Sequence, residues 1–174
     1  MLTTFILLGI FLILAVLYIL VGVFMIPKFA VTSMPEDIKT VVRSRPDYPK
    51  WKTALGYISA VVIFLGLLGV LIYAGIDSAK NNFSFVQIFI RYLILLMGYK
   101  AFDIICLDWW LITRSRFFQN VFPETVGCEG YKQFGFNWKK QLARIIGFPV
   151  VSLIVAAIIT WVQYICWVHI CERV

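Results

Sequence analysis

The chain has 174 residues, of which 61% are Ala, Val, Ile, Leu, Met, Phe, Trp, Tyr or Cys and only 14% are charged, with a net charge of +7. A soluble domain runs at about 45–50% apolar and about 25% charged, and a water-soluble fold this small lacks the interior to hide so much apolar side chain. An ordinary cytosolic enzyme, a disordered chain and a disulfide scaffold are excluded; a polytopic membrane protein remains, with room for four spans of about 20 residues and short loops.

The apolar runs are continuous rather than alternating, so they read as membrane helices and not as barrel strands. The first covers residues 2–26 without a charge and stops at Pro27-Lys28. It has no basic start and no small-residue cleavage pattern near Val23-Phe24-Met25, so it reads as a retained span and not a removable signal. The loop that follows holds Lys28, Lys39, Arg43, Arg45, Lys50 and Lys52. Within it, Ser33-Met34-Pro35-Glu36 has the form of a capping box, and Ile38, Val41 and Val42 share one face of a short amphipathic helix expected to lie at the interface. Arg45-Pro46-Asp47-Tyr48-Pro49 is turn chemistry that returns the chain to the membrane.

The second span is expected over residues 53–76, ending at Asp77. The third, over 84–112, carries Arg91, Lys100, Asp103 and Asp108. Ionisable groups at membrane depth are costly and are usually paired or functional. Lys100 and Asp103 are three apart, share a helical face and form a candidate intramembrane pair. Arg91 lies about half a rotation away and must serve another surface. Asp108 is expected near the head groups, followed by Trp109 and Trp110.

The third loop holds Arg114, Arg116, Lys132, Lys139, Lys140 and Arg144. Loops one and three thus carry twelve of the sixteen basic residues, which places both in the cytoplasm and both termini outside. The positive charge is read as complementing anionic lipid head groups, with no nucleic-acid role. Phe117, Phe118, Phe122, Tyr131, Phe134, Phe136 and Trp138 interleave with these basic residues, either as an aromatic belt or as a surface for a head group or partner. Glu124 and Glu129, with Asp108, are a candidate polar cluster at the same interface.

The fourth span is expected over 145–170, with Gln163, Tyr164 and His169 as its polar residues. Gln163 and Tyr164 are candidate further partners of the Lys100–Asp103 pair. His169 is the only histidine, and no zinc spacing, phosphate loop or nucleophile elbow occurs, so no metal, cofactor or catalytic residue is assigned. Cys106, Cys128, Cys166 and Cys171 read as free thiols. Ser152, Ala156 and Thr160, and Gly56 with Ala60, form small-residue faces that serve equally an internal bundle, a homo-oligomer or another membrane protein.

Leu107-Asp108-Trp109-Trp110, Pro123-Glu124-Thr125, Gly127, Tyr131-Lys132, Phe134 and Phe136, within residues 103–140, resemble an uncharacterised family of small four-span membrane proteins of Gram-positive bacteria. The resemblance implies a bacterial membrane architecture and no mechanism. Asn137 stands where that group carries a His, so no site built on that His carries over.

The expected fold is therefore all-α: one integral domain, a four-transmembrane-helix bundle with a short interfacial helix in the first loop. The leading functional expectation is a non-enzymatic membrane subunit or assembly partner. A small transporter or proton-coupled protein built on Lys100 and Asp103 is the first alternative, and a lipid- or polyprenyl-modifying enzyme the second.

Overall fold

The computed structural model describes residues 2–133, 135 and 137–171, the side chains of 167–171 excepted. Every regular element among them is helical and none is a strand. Three helices are long and apolar enough to cross a membrane: α1 (Leu2–Met25), α4 (Lys50–Lys80) and α7 (Trp138–Cys171). The remaining long element is a joined helix, the 18 residues of α5 (Phe85–Phe102) followed directly by 12 residues of π-helix, Asp103–Arg114. The single regular helix expected over 84–112 is thus corrected at Asp103. π-helices usually occur as single turns within α-helices and often mark functional sites.

Helix ends follow local chemistry. Ser84 accepts from the Gln87 amide, and the Ser84 amide donates to Gln87 Oε1 at 2.9 Å, so α5 starts with a reciprocal cap. The capping box expected at Ser33 does not form. A 3₁₀ turn covers Val31–Ser33 and Pro35 precedes α3 (Glu36–Arg43) without a side-chain cap. The Ser33 carbonyl instead accepts from Asn137 Nδ2 at 2.7 Å.

α1 packs along α4 and α5, and α5 packs along α7. Where the four meet, Leu7, Phe11, Val70, Ala74, Ile88, Tyr92, Leu95 and Ala156 are buried together. The small residues are what let these helices approach. A Cβ on Gly56 would lie 2.7 Å from Met25 Cβ, and Ser152 and Ala156 are fully buried on α7. Pro149 lies inside α7, where it supplies no backbone N–H.

The first and third loops meet at one end of the bundle. Val23, Val31, Met34, Ile38, Val42, Phe118, Phe122 and Tyr131 form a second core there. α3 therefore buries Ile38 and Val42 against protein, in one core with Phe118 of the short α6 (Phe117–Val121), and is not a free interfacial helix. Likewise Phe118, Phe122 and Tyr131 are core residues and not members of an aromatic belt; burying each such ring contributes about 1.5–3 kcal/mol. Phe134 and Phe136 lie outside the described residues. The loops are pinned by the Gly130 amide donating to Asp37 Oδ2 at 2.8 Å and by Arg45 against Glu124 at 3.4 Å.

Candidate functional site

The two core layers leave a cavity of about 500 Å³ at the end of the bundle where the basic loops meet. Its walls come from the last turns of α1, the short α2 (Pro27–Ala30), the π segment and the first two turns of α7. Ile19, Val23, Leu107, Leu111 and Phe118 supply apolar lining. Tyr18, Tyr99, Asp103, Asp108, Asn137, Lys140, Gln141 and Arg144 supply polar groups.

The π segment explains how both aspartates reach this space. In an α-helix, residues five apart point about 140° apart. Bonding from i to i+5 stacks them one turn apart on one side. The Ser115 amide donates to the Trp110 carbonyl at 2.7 Å and Thr113 Oγ1 donates to the Asp108 carbonyl at 3.0 Å, both across five residues. Asp108 is half-buried and accepts a hydrogen bond from Gln141 Nε2 of α7.

Lys100 Nζ lies 2.5 Å from Asp103 Oδ2 and is 1% exposed. The ammonium backs the carboxylate from behind the cavity wall, which Asp103 lines and Lys100 does not. Gln163 and Tyr164 are not partners of this pair. Gln163 Nε2 donates to the Ser78 carbonyl at 3.4 Å and Tyr164 is exposed.

Arg91 belongs to a second polar site at the opposite end of α5. It is fully buried, with Nη2 2.6 Å from Asp77 Oδ2, Nη1 donating to Ser78 Oγ at 2.9 Å, and its guanidinium over the Phe83 ring. The sequence signal for Arg91–Asp77 is the short turn after α4, which makes α4 and α5 a hairpin with Asp77 facing the first charge of α5.

Asp108, Glu124 and Glu129 do not converge. Asp108 lines the cavity, Glu124 pairs with Arg45, and Glu129 lies on a separate groove beside Asp37 and Lys39. In that loop region, burial pushes the Cys128 thiol and the Tyr131 hydroxyl above their ordinary values, and Tyr131 shares a 2.7 Å hydrogen bond with Thr125. Cys106, Cys128 and Cys166 are free thiols, and no group of His, Cys, Asp and Glu suited to a metal occurs among the described residues. The side chains of His169 and Cys171 lie outside those residues.

Tyr18, Tyr99 and Gln141 line the cavity without any motif signal in the sequence. Tyr18 and Tyr99 sit inside apolar runs, and Gln141 is recognisable only once the π register has turned Asp108 toward α7. No family model, no curated protein and no solved structure matches the chain.

Proposed function

We propose that this chain is a four-span membrane protein, crossing with α1, α4, the α5–π helix and α7, with both termini outside, and that it binds a lipid head group in the cavity at its basic end. The α5–π helix fits as a span because its charges at Arg91 and Lys100 are internally paired and buried. The orientation rests on the twelve basic residues of the two meeting loops. The observation that carries the binding role is the cavity itself, which combines apolar and polar lining residues at the end of the bundle where the basic loops meet.

A binding role is favoured over catalysis because Asp108, Glu124 and Glu129 do not converge on one site. It is favoured over pure assembly because Gly56, Ala60, Ser152 and Ala156 are consumed inside the bundle. A carrier is the second reading, supported by Asp103 lining the cavity while paired to a buried lysine.

The test is native mass spectrometry of the protein purified in mild detergent. One retained lipid per chain is expected, lost in Leu107→Trp, which fills the cavity, and kept in Ile72→Trp on the exposed face of α4. Equal retention in both variants would remove the cavity from the proposal.

A further inference from the structure

The charges around the cavity are not balanced pair by pair. The ion pairs among the described residues are Lys28–Asp47, Lys39–Glu36, Arg45–Glu124, Arg91–Asp77 and Lys100–Asp103. None of them uses Asp108, Lys140 or Arg144, and all three line the cavity. Asp108 has a hydrogen bond from Gln141 and no ion-pair partner among the described residues. Beside it, Gln141 Oε1 is buried and has no hydrogen-bond partner among the described residues. A buried acceptor without a donor is costly, so this position calls for a group that donates. A carboxylate and an amide oxygen side by side call for a cation with several N–H bonds, which a primary ammonium supplies.

Lys140 and Arg144 offer the opposite chemistry. Arg144 is three residues on from Gln141, on the same face of α7, and Lys140 precedes Gln141. Both are exposed at the cavity edge and free of carboxylate partners among the described residues. A guanidinium and an ammonium together suit a phosphate. The remaining wall, with Leu107 and Leu111, suits hydrocarbon.

From this arrangement we infer that the cavity is selective for a primary-amine phosphodiester, the head group of an aminophospholipid such as phosphatidylethanolamine: ammonium at Asp108 and Gln141, phosphate at Lys140 and Arg144. This rests on the lipid-binding reading above and specifies its ligand. Phosphatidylglycerol lacks the cation, and the trimethylammonium of phosphatidylcholine has no N–H to donate.

The experiment is competition in native mass spectrometry on the full chain, with phosphatidylethanolamine, phosphatidylglycerol, phosphatidylcholine and free phosphoethanolamine as probes. Phosphatidylethanolamine is expected to win by about tenfold, the value of one charge-assisted contact. Asp108→Asn should erase that preference while phosphatidylglycerol binding persists, and Asp108→Glu should restore it. Lys140→Gln with Arg144→Gln should weaken both phospholipids alike. If Asp108→Asn does not fold by circular dichroism, the lipid series on the wild type and the Asp108→Glu variant decide the matter. Phosphatidylglycerol binding as well as phosphatidylethanolamine overturns the head-group assignment and leaves the lipid cavity standing. Free phosphoethanolamine competing at equal concentration supports the amine–phosphate chemistry and makes the source soluble. No retained lipid of any class, and no effect of phosphoethanolamine, overturns both readings.

Discussion

Asp103 and Asp108 line the same cavity although five residues separate them. The π winding of Asp103–Arg114 is what stacks them, and it couples a helix irregularity directly to the polar wall of the site. An α-helix over the same residues would turn one carboxylate away from α7 and break the Gln141 contact.

A π segment has poorer local stability than the α-helix it extends, and this one borders a cavity. Backbone amides of residues 110–114 should therefore exchange with deuterium about tenfold faster than those of residues 92–96 in α5. Equal protection across both stretches would mean that the segment winds as ordinary α-helix.

The Lys100–Asp103 pair is buried, so removing one partner is worse than removing both. Lys100→Met leaves the Asp103 carboxylate without its counter-charge and should cost about 3–5 kcal/mol. Lys100→Met combined with Asp103→Leu should recover most of that loss. Thermal unfolding in detergent checks the order. If the double variant also loses lipid retention, the pair serves the cavity; if retention is unchanged, the pair only orients α5.

Arg91 reads differently from Lys100 because its fork meets two acceptors. Arg91→Lys keeps the charge but cannot bridge Asp77 and Ser78 in the same geometry, so it should destabilise by about 1–3 kcal/mol. A melting temperature unchanged in Arg91→Lys would mean that the charge alone suffices and the fork contributes nothing.

Gly56 and Gly69 lie on the same helix in opposite circumstances. At Gly56 a methyl group meets Met25 Cβ at 2.7 Å, at the contact between α1 and α4; at Gly69 it meets nothing within 4 Å. Gly56→Ala should cost about 1–3 kcal/mol by forcing the helices apart. Gly69→Ala should be neutral or stabilise by up to about 1 kcal/mol through helix propensity. Unfolding midpoints of the two variants make the comparison, and a harmless Gly56→Ala would argue against the close α1–α4 approach.

Run length and charge placement make much of this architecture legible. Uncharged stretches of more than 20 residues can satisfy their backbone in lipid only as helices, which is why α1, α4 and α7 are readable from Leu2, Thr53 and Ile145 onward. A three-residue spacing likewise places Lys100 beside Asp103. The cavity is not readable in this way. A 3.6-residue period separates Asp103 from Asp108, and nothing in the local sequence announces i to i+5 bonding. Phe118, Phe122 and Tyr131 look like interfacial aromatics in a basic loop; they become core because α3 turns Ile38 and Val42 onto them. Such long-range contacts carry no periodicity of their own.

The two basic loops must lie on one side of any membrane the chain crosses, because they are one structure. Asp37 holds the Gly130 amide, Arg45 meets Glu124, and Asn137 holds the Ser33 carbonyl. The orientation proposed above puts that side in the cytoplasm, on the positive-inside bias. Single cysteines at Thr40, Val126 and Lys80, all exposed, in a background with the four native cysteines replaced, test both statements. A membrane-impermeant maleimide on intact cells should label position 80 and spare 40 and 126, and permeabilised cells should label all three. Opposite behaviour at 40 and 126 would contradict the docking of loop one on loop three. Labelling of both from outside, with 80 protected, would keep the fold and reverse its orientation, placing the cavity and its lipid in the outer leaflet.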